Sequence, residues 1–193
     1  ACLACIDHQY AENDGQTACE SCSLGKYSTA VGATSSSVCQ ACPLGQFIAA
    51  SAELTLGTLQ APCASCLAGR YSDTAEAFSE WACKACPPGR FGTYEGASSS
   101  SSCAACPAGN FGPISGSTHC STCRAGFYGP APGSSDVGAC QPCAPGQLCV
   151  AGSSAALPCQ AGRYCDLPFR NVTCPAGSYC PAGVAAPLPC AVG

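Results

Sequence analysis

Methionine is absent from this chain of 193 residues, tryptophan occurs once, and six Phe with seven Tyr make up the remaining aromatics. A domain of this length ordinarily holds together by burying large aliphatic and aromatic side chains. Too few are present here, because the 47% hydrophobic content rests heavily on cysteine and alanine. Charge is scarce as well, at 9% Asp, Glu, Lys and Arg with a net charge of −4. Seven Lys and Arg form no basic stripe, which argues against nucleic acid and anionic membrane surfaces as partners. No run of eighteen apolar residues occurs, so direct membrane insertion as a helix is excluded. His8 and His119 are the two histidines, far apart and read as surface residues, so no nucleophile–base pair is evident. The chain reads as a non-enzyme that needs no cofactor.

What is abundant is cysteine, twenty-two in all. At this density covalent bridges replace the missing core. Such bridges form in an oxidising compartment, so the protein is expected outside the cell or at its surface, reached through the secretory pathway. The sequence starts at Ala1 without a Met or a signal-like stretch, so a precursor is expected to supply the secretion signal.

The cysteines recur. Cys-x-x-Cys pairs begin at Cys2, Cys19, Cys39, Cys63, Cys83, Cys103, Cys120 and Cys140, in steps of 17, 20, 24, 20, 20, 17 and 20. Counted from the second cysteine of each pair, position 3 is glycine at Gly25, Gly45, Gly69, Gly89, Gly109, Gly126 and Gly146, with His8 departing in the first copy. Position 5 is aromatic at Tyr10, Tyr27, Phe47, Tyr71, Phe91, Phe111 and Tyr128, and is Leu148 in the last copy. A glycine at a fixed offset signals a tight turn with positive φ, and the aromatic is expected to cover the disulfide behind it. Between aromatic and next pair lie Ser- and Gly-rich loops with no 3.6-residue periodicity.

After residue 142 the rhythm tightens. Units starting at Cys143, Cys159 and Cys174 place a further cysteine after position 5, at Cys149, Cys165 and Cys180, and keep the turn glycines Gly162 and Gly177 with Tyr164 and Tyr179. Two regions follow: residues 1–142 as about seven linked modules of 17–24 residues, and 143–193 as compressed modules of 15–16 residues. The fold class is an elongated array of small disulfide-rich repeats, made of short strands and turns with little helix and no single hydrophobic core.

If every copy closes alike, the second cysteine of each pair bonds to the first of the next: Cys5 to Cys19, Cys22 to Cys39, Cys42 to Cys63, Cys66 to Cys83, Cys86 to Cys103, Cys106 to Cys120 and Cys123 to Cys140. In the tightened region the bridges are expected within one turn, Cys143 to Cys149, Cys159 to Cys165 and Cys174 to Cys180. Cys2 and Cys190 then look to partners outside the stretch, as if the array continued at both ends. A competing register joins Cys149 to Cys159, Cys165 to Cys174 and Cys180 to Cys190, and strands Cys143.

Other features have narrower readings. Asn171-Val172-Thr173 is an N-glycosylation sequon, and in a secreted protein it is expected to carry a glycan. The serine runs at 35–37 and 98–102 and the proline stretch at 130–133 are loops that could carry further glycans. The long loop at 47–59, with Ile48, Leu54, Leu56 and Leu59, packs on itself or offers an apolar contact surface. Trp81 is expected to plug a thin module. Paired Cys-x-x-Cys motifs can hold zinc, and Asp7, Glu12, Asn13 and Asp14 are acidic enough for calcium, but the ring register and the missing calcium-loop spacing argue for neither.

The unit C-P-x-G-x-[Tyr/Phe], a loop and Cys-x-x-Cys, seen whole from Cys86 to Cys106, resembles the ephrin-receptor-like cysteine-rich repeat, and more distantly the first submodule of tumour-necrosis-factor-receptor cysteine-rich domains. The resemblance implies one ring per module. Similar repeats occur in large surface proteins of protists and algae, including mastigoneme-type appendages of flagella. It therefore implies a disulfide-stabilised rod in a stalk, matrix or filament shaft, with copies of itself or other shaft proteins and glycans as partners. A receptor ectodomain that binds a protein ligand is the alternative.

Overall fold

The computed structural model describes residues 4–48 and 63–191. Every strand in it belongs to a two-stranded antiparallel hairpin, and no α-helix occurs among the described residues. By their internal contacts the residues group into two compact units, one of Ala1–Cys86 with Gly92–Cys103 and one of Pro87–Phe91 with Ala104–Gly193.

The first unit holds four hairpins, β1 (Gln9–Tyr10) with β2 (Glu20–Ser21), β3 (Lys26–Tyr27) with β4 (Gln40–Ala41), β5 (Gln46–Ile48) with β6 (Cys63–Ser65), and β7 (Arg70–Tyr71) with β8 (Lys84–Ala85). The second holds six. They are β9 (Arg90–Phe91) with β10 (Ala104–Ala105), β11 (Asn110–Phe111) with β12 (Ser121–Thr122), β13 (Phe127–Tyr128) with β14 (Gln141–Pro142), β15 (Gln147–Leu148) with β16 (Leu157–Pro158), β17 (Arg163–Leu167) with β18 (Arg170–Thr173), and β19 (Ser178–Tyr179) with β20 (Leu188–Pro189).

One local rule generates each hairpin. The residue after the turn glycine donates its N–H back three residues, as Arg90 does to Pro87 O and Asn110 to Pro107 O, at 3.1 and 3.0 Å. A turn closed this way with positive φ at its third residue favours glycine there, and φ is +79° at Gly89 and +83° at Gly109. The two residues inside each of the seven later Cys-x-x-Cys pairs form the return strand, as Ala104 and Ala105 do opposite Phe91 and Arg90. The pair at Cys2 is not described. A motif that looks like a metal clasp is thus the second strand of a hairpin.

Disulfides close each module. Seven long bridges run Cys5–Cys19, Cys22–Cys39, Cys42–Cys63, Cys66–Cys83, Cys86–Cys103, Cys106–Cys120 and Cys123–Cys140. Three short ones run Cys143–Cys149, Cys159–Cys165 and Cys174–Cys180. Ring size follows from one structural option. The four rings of separation 17 each carry a single 3-10 turn just before the closing cysteine, at Ser36–Val38, Glu80–Ala82, Ser100–Ser102 and Val137–Ala139. The two of separation 14 have none, and three residues is one turn of such a helix. The serine runs read from sequence as plain loops therefore supply two of these four turns, and Ser35 caps one of them through its side chain, accepting from Ser37 N–H.

The buried set is sulfur and small residues. Cys42, Cys66, Cys86, Cys103, Cys106, Cys123, Cys149, Cys159 and Cys165 are at most 1% exposed, joined by Ala33, Ala77, Ser28 and Ser72. No Leu, Ile, Val or aromatic side chain is buried among the described residues. The aromatics at position 5 are half-buried, and Tyr179 is exposed. This is the fold of small disulfide-rich repeats, in which two-residue hairpins too short to stand alone are held by covalent rings and by their neighbours.

Candidate functional site: the joint between modules

Three sets of backbone hydrogen bonds recur between successive modules within a unit. First, the residue at the turn-glycine position donates to the carbonyl at position 6 of the following module: His8 to Ser28 and Gly45 to Ser72 in the first unit, Gly89 to Gly112, Gly109 to Gly129, Gly126 to Cys149, Gly146 to Cys165 and Gly162 to Cys180 in the second, at 2.7–3.2 Å. Second, the N–H at position 6 donates onward, as Ser72 does to Ala97 O and Gly112 to Ser134 O, both at 2.9 Å. Third, a second turn reaches back to the first cysteine of the module before it: Gly96 N–H to Cys66 O, Gly133 N–H to Cys106 O and Gly183 N–H to Cys159 O, at 2.7–2.8 Å. Because these bonds are backbone to backbone, loop sequences can vary freely while the joint does not.

The second turn exposes a set of residues that sequence reading passed over. Gly15, Gly32, Gly96, Gly116 and Gly133, ten positions after the ring-opening cysteine, all have φ between +68° and +76°. Their signal is a glycine recurring at a fixed offset, masked because it falls inside Gly- and Ser-rich loops. Glu76 takes that place in one module at φ +59° and pairs with Lys26 at 3.2 Å.

This second turn also touches the module two steps earlier. A Cβ at Gly45 would lie 2.0 Å from Gly96 O, and one at Gly25 would lie 2.1 Å from Glu76 O. In the second unit the same holds for Gly89 against Gly133 O (2.2 Å), Gly109 against Gly152 O (2.0 Å) and Gly146 against Gly183 O (2.1 Å). Gly25, Gly45, Gly89, Gly109 and Gly146 thus answer two demands, a positive φ and a backbone carbonyl laid directly on the α-carbon, whereas a Cβ at Gly126 would meet only side-chain atoms of Pro168 and Phe169, at 3.5 Å. Gly162 and Gly177 meet only the first demand: both are exposed and have open space at the Cβ position.

Position 6 explains the change of bridge after residue 142. At Gly112, Gly129 and Gly92 a Cβ would lie 3.0, 3.2 and 3.4 Å from the Sγ of Cys106, Cys123 and Cys86. The Cβ direction there points at the ring-opening sulfur. A cysteine in that place, as at Cys149, Cys165 and Cys180, is aimed at its partner with only a small backbone shift, since a Cβ at Gly129 would also lie 3.2 Å from Gly109 N, and the distant closing cysteine becomes dispensable.

His8, the exception to the turn glycine, holds φ +63°. Its ring Nδ1 accepts from Ser28 N–H at 3.2 Å, and with its side chain 12% exposed it is a joint residue, not the surface histidine read from sequence. Trp81, read as a plug, is 87% exposed. It lines a shallow apolar recess with Phe47, Leu67 and Arg70. Asn171 lies half-buried on β18, its Oδ1 3.8 Å from Cys159 Sγ. His119 makes a local contact with Thr118 at 3.3 Å. Of the long apolar loop, residues 49–62 lie outside the described residues, as do Cys2 and Gly193.

Ionic features are few and exposed. Lys84 Nζ donates to Asp73 at 2.6 Å; the bond lowers the Asp73 pKa and raises that of Lys84. Glu12 accepts from Ser36 N–H across a joint at 2.9 Å, and hydrogen bonding from the Ser36 side chain and then its backbone lowers the Glu12 pKa. No group of three or more potential metal ligands occurs among the described residues, and bridged cysteines carry no thiolate to offer a metal. Cys190 is the free cysteine among them and is exposed. No helix of the described residues is long and apolar enough to cross a membrane.

The family profile described as tyrosine-protein kinase ephrin type A/B receptor-like matches residues 1–39 and 54–103. A search of curated proteins finds no match to the chain.

Proposed function

We propose that this chain is a non-enzymatic structural segment of an extracellular protein, a disulfide-stabilised rod serving as stalk, matrix element or filament shaft, with a flagellar mastigoneme-like appendage as one such setting. The carrying observation is the joint itself, one set of backbone contacts reused from module to module in each unit, with loop sequence free to change around it. A catalyst needs a unique site; this chain invests in sameness. Copies of itself or other shaft proteins, and glycans at Asn171, are its proposed partners. Small-angle scattering of the protein as purified tests the reading: a maximum dimension several times that of a compact domain of this mass is expected, and a compact envelope would overturn it.

The receptor-ectodomain reading has one observation in its favour beyond the family match. Phe78, Trp81 and Tyr94 are 61–87% exposed in the first unit, and exposed aromatics are favoured as anchors of protein interfaces. A membrane-spanning helix and a signalling domain in the intact polypeptide would favour this second reading.

A further inference from the structure

Asn171, Val172 and Thr173 all lie on β18, which pairs with β17 through Tyr164 opposite Val172 and Arg163 opposite Thr173. A glycan acceptor is ordinarily met on a surface loop; this one is in a strand. The register of β17 shifts between Tyr164 and Leu167, so two of its residues, Cys165 and Asp166, stand opposite Asn171. Alternation along β18 puts Asn171 and Thr173 on one face. Thr173 is exposed there, whereas Asn171 is half-buried with its Oδ1 3.8 Å from Cys159 Sγ. Cys159 is bonded to Cys165, and both are 0% exposed. A bridged sulfur has no S–H to donate, so the amide simply packs against a closed and covered bridge.

The hairpin around that amide is anchored at several points. Cys165 N–H donates to Val184 O at 3.0 Å, and Cys165 O accepts from Gly146 N–H at 3.2 Å. Asp166 pairs with Arg170 across the hairpin. At its turn, Pro168 O accepts from Cys149 N–H at 2.6 Å, and the side chains of Pro168 and Phe169 lie over Gly126. The acceptor strand is therefore built into the joint, and freeing it means undoing bonds to neighbouring modules. Glycan transfer makes demands that this arrangement does not meet. Asn171 Nδ2 must attack C1 of a sugar carried on a lipid pyrophosphate: the N–C1 bond forms, the C1–O bond breaks, the lipid pyrophosphate leaves with the electron pair, and Nδ2 gives its proton to a base of the transferase. For an aligned displacement the transferase must enclose the amide and also hold the Thr173 hydroxyl that the sequon requires. An amide backed by a buried bridge and fixed in a paired strand leaves no room for either.

We propose that glycan transfer to Asn171 and closure of the Cys159–Cys165 ring are ordered events: the open chain is the acceptor, and a ring that closes first leaves Asn171 unmodified. This rests on the reading of Asn171 as a glycan carrier. The bridge acts as a gate on the modification, and the glycan state of each molecule records which step came first.

The test uses the whole chain, made without glycosylation and with its bridges confirmed by peptide mapping. It is offered to a purified oligosaccharyl transferase with a lipid-pyrophosphate-linked oligosaccharide, and mass spectrometry follows the peptide that carries Asn171. Folded native chain should be modified at least about tenfold more slowly than reduced and alkylated chain, because it reacts only through its open fraction. Cys159→Ser combined with Cys165→Ser should restore fast transfer, whereas Cys66→Ser combined with Cys83→Ser, which opens a ring in the first unit, should leave the native rate. Ser98→Asn supplies a second acceptor, completed by Ser100 in an exposed loop, and this one should be modified rapidly in the folded chain. Equal rates at Asn171 in folded and reduced native chain overturn the gate. So do a Cys159 and Cys165 variant no faster than native chain, equal acceleration by the two ring openings, and slow transfer to the loop acceptor. Reduced chain that stays unmodified at Asn171 while the loop acceptor reacts would defeat the glycan-carrier reading along with the gate.

Discussion

Gly109 and Gly162 look interchangeable in the sequence, and their surroundings divide them. Alanine at Gly162 meets only the cost of positive φ, about 1–2 kcal/mol, because nothing lies within 4 Å of its Cβ. Alanine at Gly109 must in addition displace Gly152 O from 2.0 Å. Hydrogen exchange of the N–H that each glycine's carbonyl accepts reports the difference: Cys174 in the Gly162→Ala protein should exchange roughly tenfold faster than native, and Cys123 in the Gly109→Ala protein should exceed that factor clearly. Equal effects would mean that the capping carbonyl yields at no cost.

Ionisation also acts residue by residue. Asp73 is lowered in the folded chain, so its pairing with Lys84 contributes above the ordinary carboxylate pKa and is lost as pH falls through the lowered value. Lys84 is raised, so its share is present below the ordinary lysine pKa and is lost as pH rises through the raised one. Both side chains are exposed, so the pair contributes little to stability. The NMR titration midpoint of Asp73 should lie below about 3.9 and climb towards it in Lys84→Gln.

Among the elements, ring type is set by which position faces the ring-opening sulfur. Replacing Gly129 by cysteine and Cys140 by serine should convert a long ring into a short one, with Cys123 bonded to the new residue in a non-reduced peptide map. A protein left with two free thiols at those places would refute the reading of position 6. Long and short rings should also differ in worth: by chain entropy a 17-residue closure contributes about 3 kcal/mol and a 6-residue one about 2 kcal/mol. Removing the Cys66–Cys83 bridge should therefore loosen its module more than removing Cys159–Cys165 loosens its own, as measured by local hydrogen exchange.

The element scale is also where legibility from sequence divides. The cysteine period and the fold class, with little helix, are visible because cysteine is rare in most chains and its spacing stands out. The second turn is invisible because Gly96 and Gly133 lie among serines and alanines, where one more glycine carries no contrast. Trp81 was misread because a lone tryptophan suggests a core, whereas these modules bury sulfur and are too thin to enclose an indole. His8 was misread because its role depends on Ser28, a residue of the next module.

For the whole molecule, contacts that reach only one or two modules along imply stability that is local and summed. Graded addition of reductant should give a ladder of partly reduced species, each ring opening with its neighbours' help or hindrance, and not a single all-or-none loss. Mass spectrometry after quenching with alkylating agent reads the ladder directly. One sharp transition from fully bridged to fully reduced chain would point to a cooperative core that the buried set does not contain.

The division of each of the seven later Cys-x-x-Cys pairs between two rings has a consequence for inheritance. The excisable unit runs from one ring-opening cysteine to the residue before the next. Deleting residues 106–122 removes one whole ring and leaves Cys103, Ala104 and Ala105 followed by Cys123, an intact pair. Unequal crossing-over between such units can lengthen or shorten the gene without creating a junction that the protein has not already used.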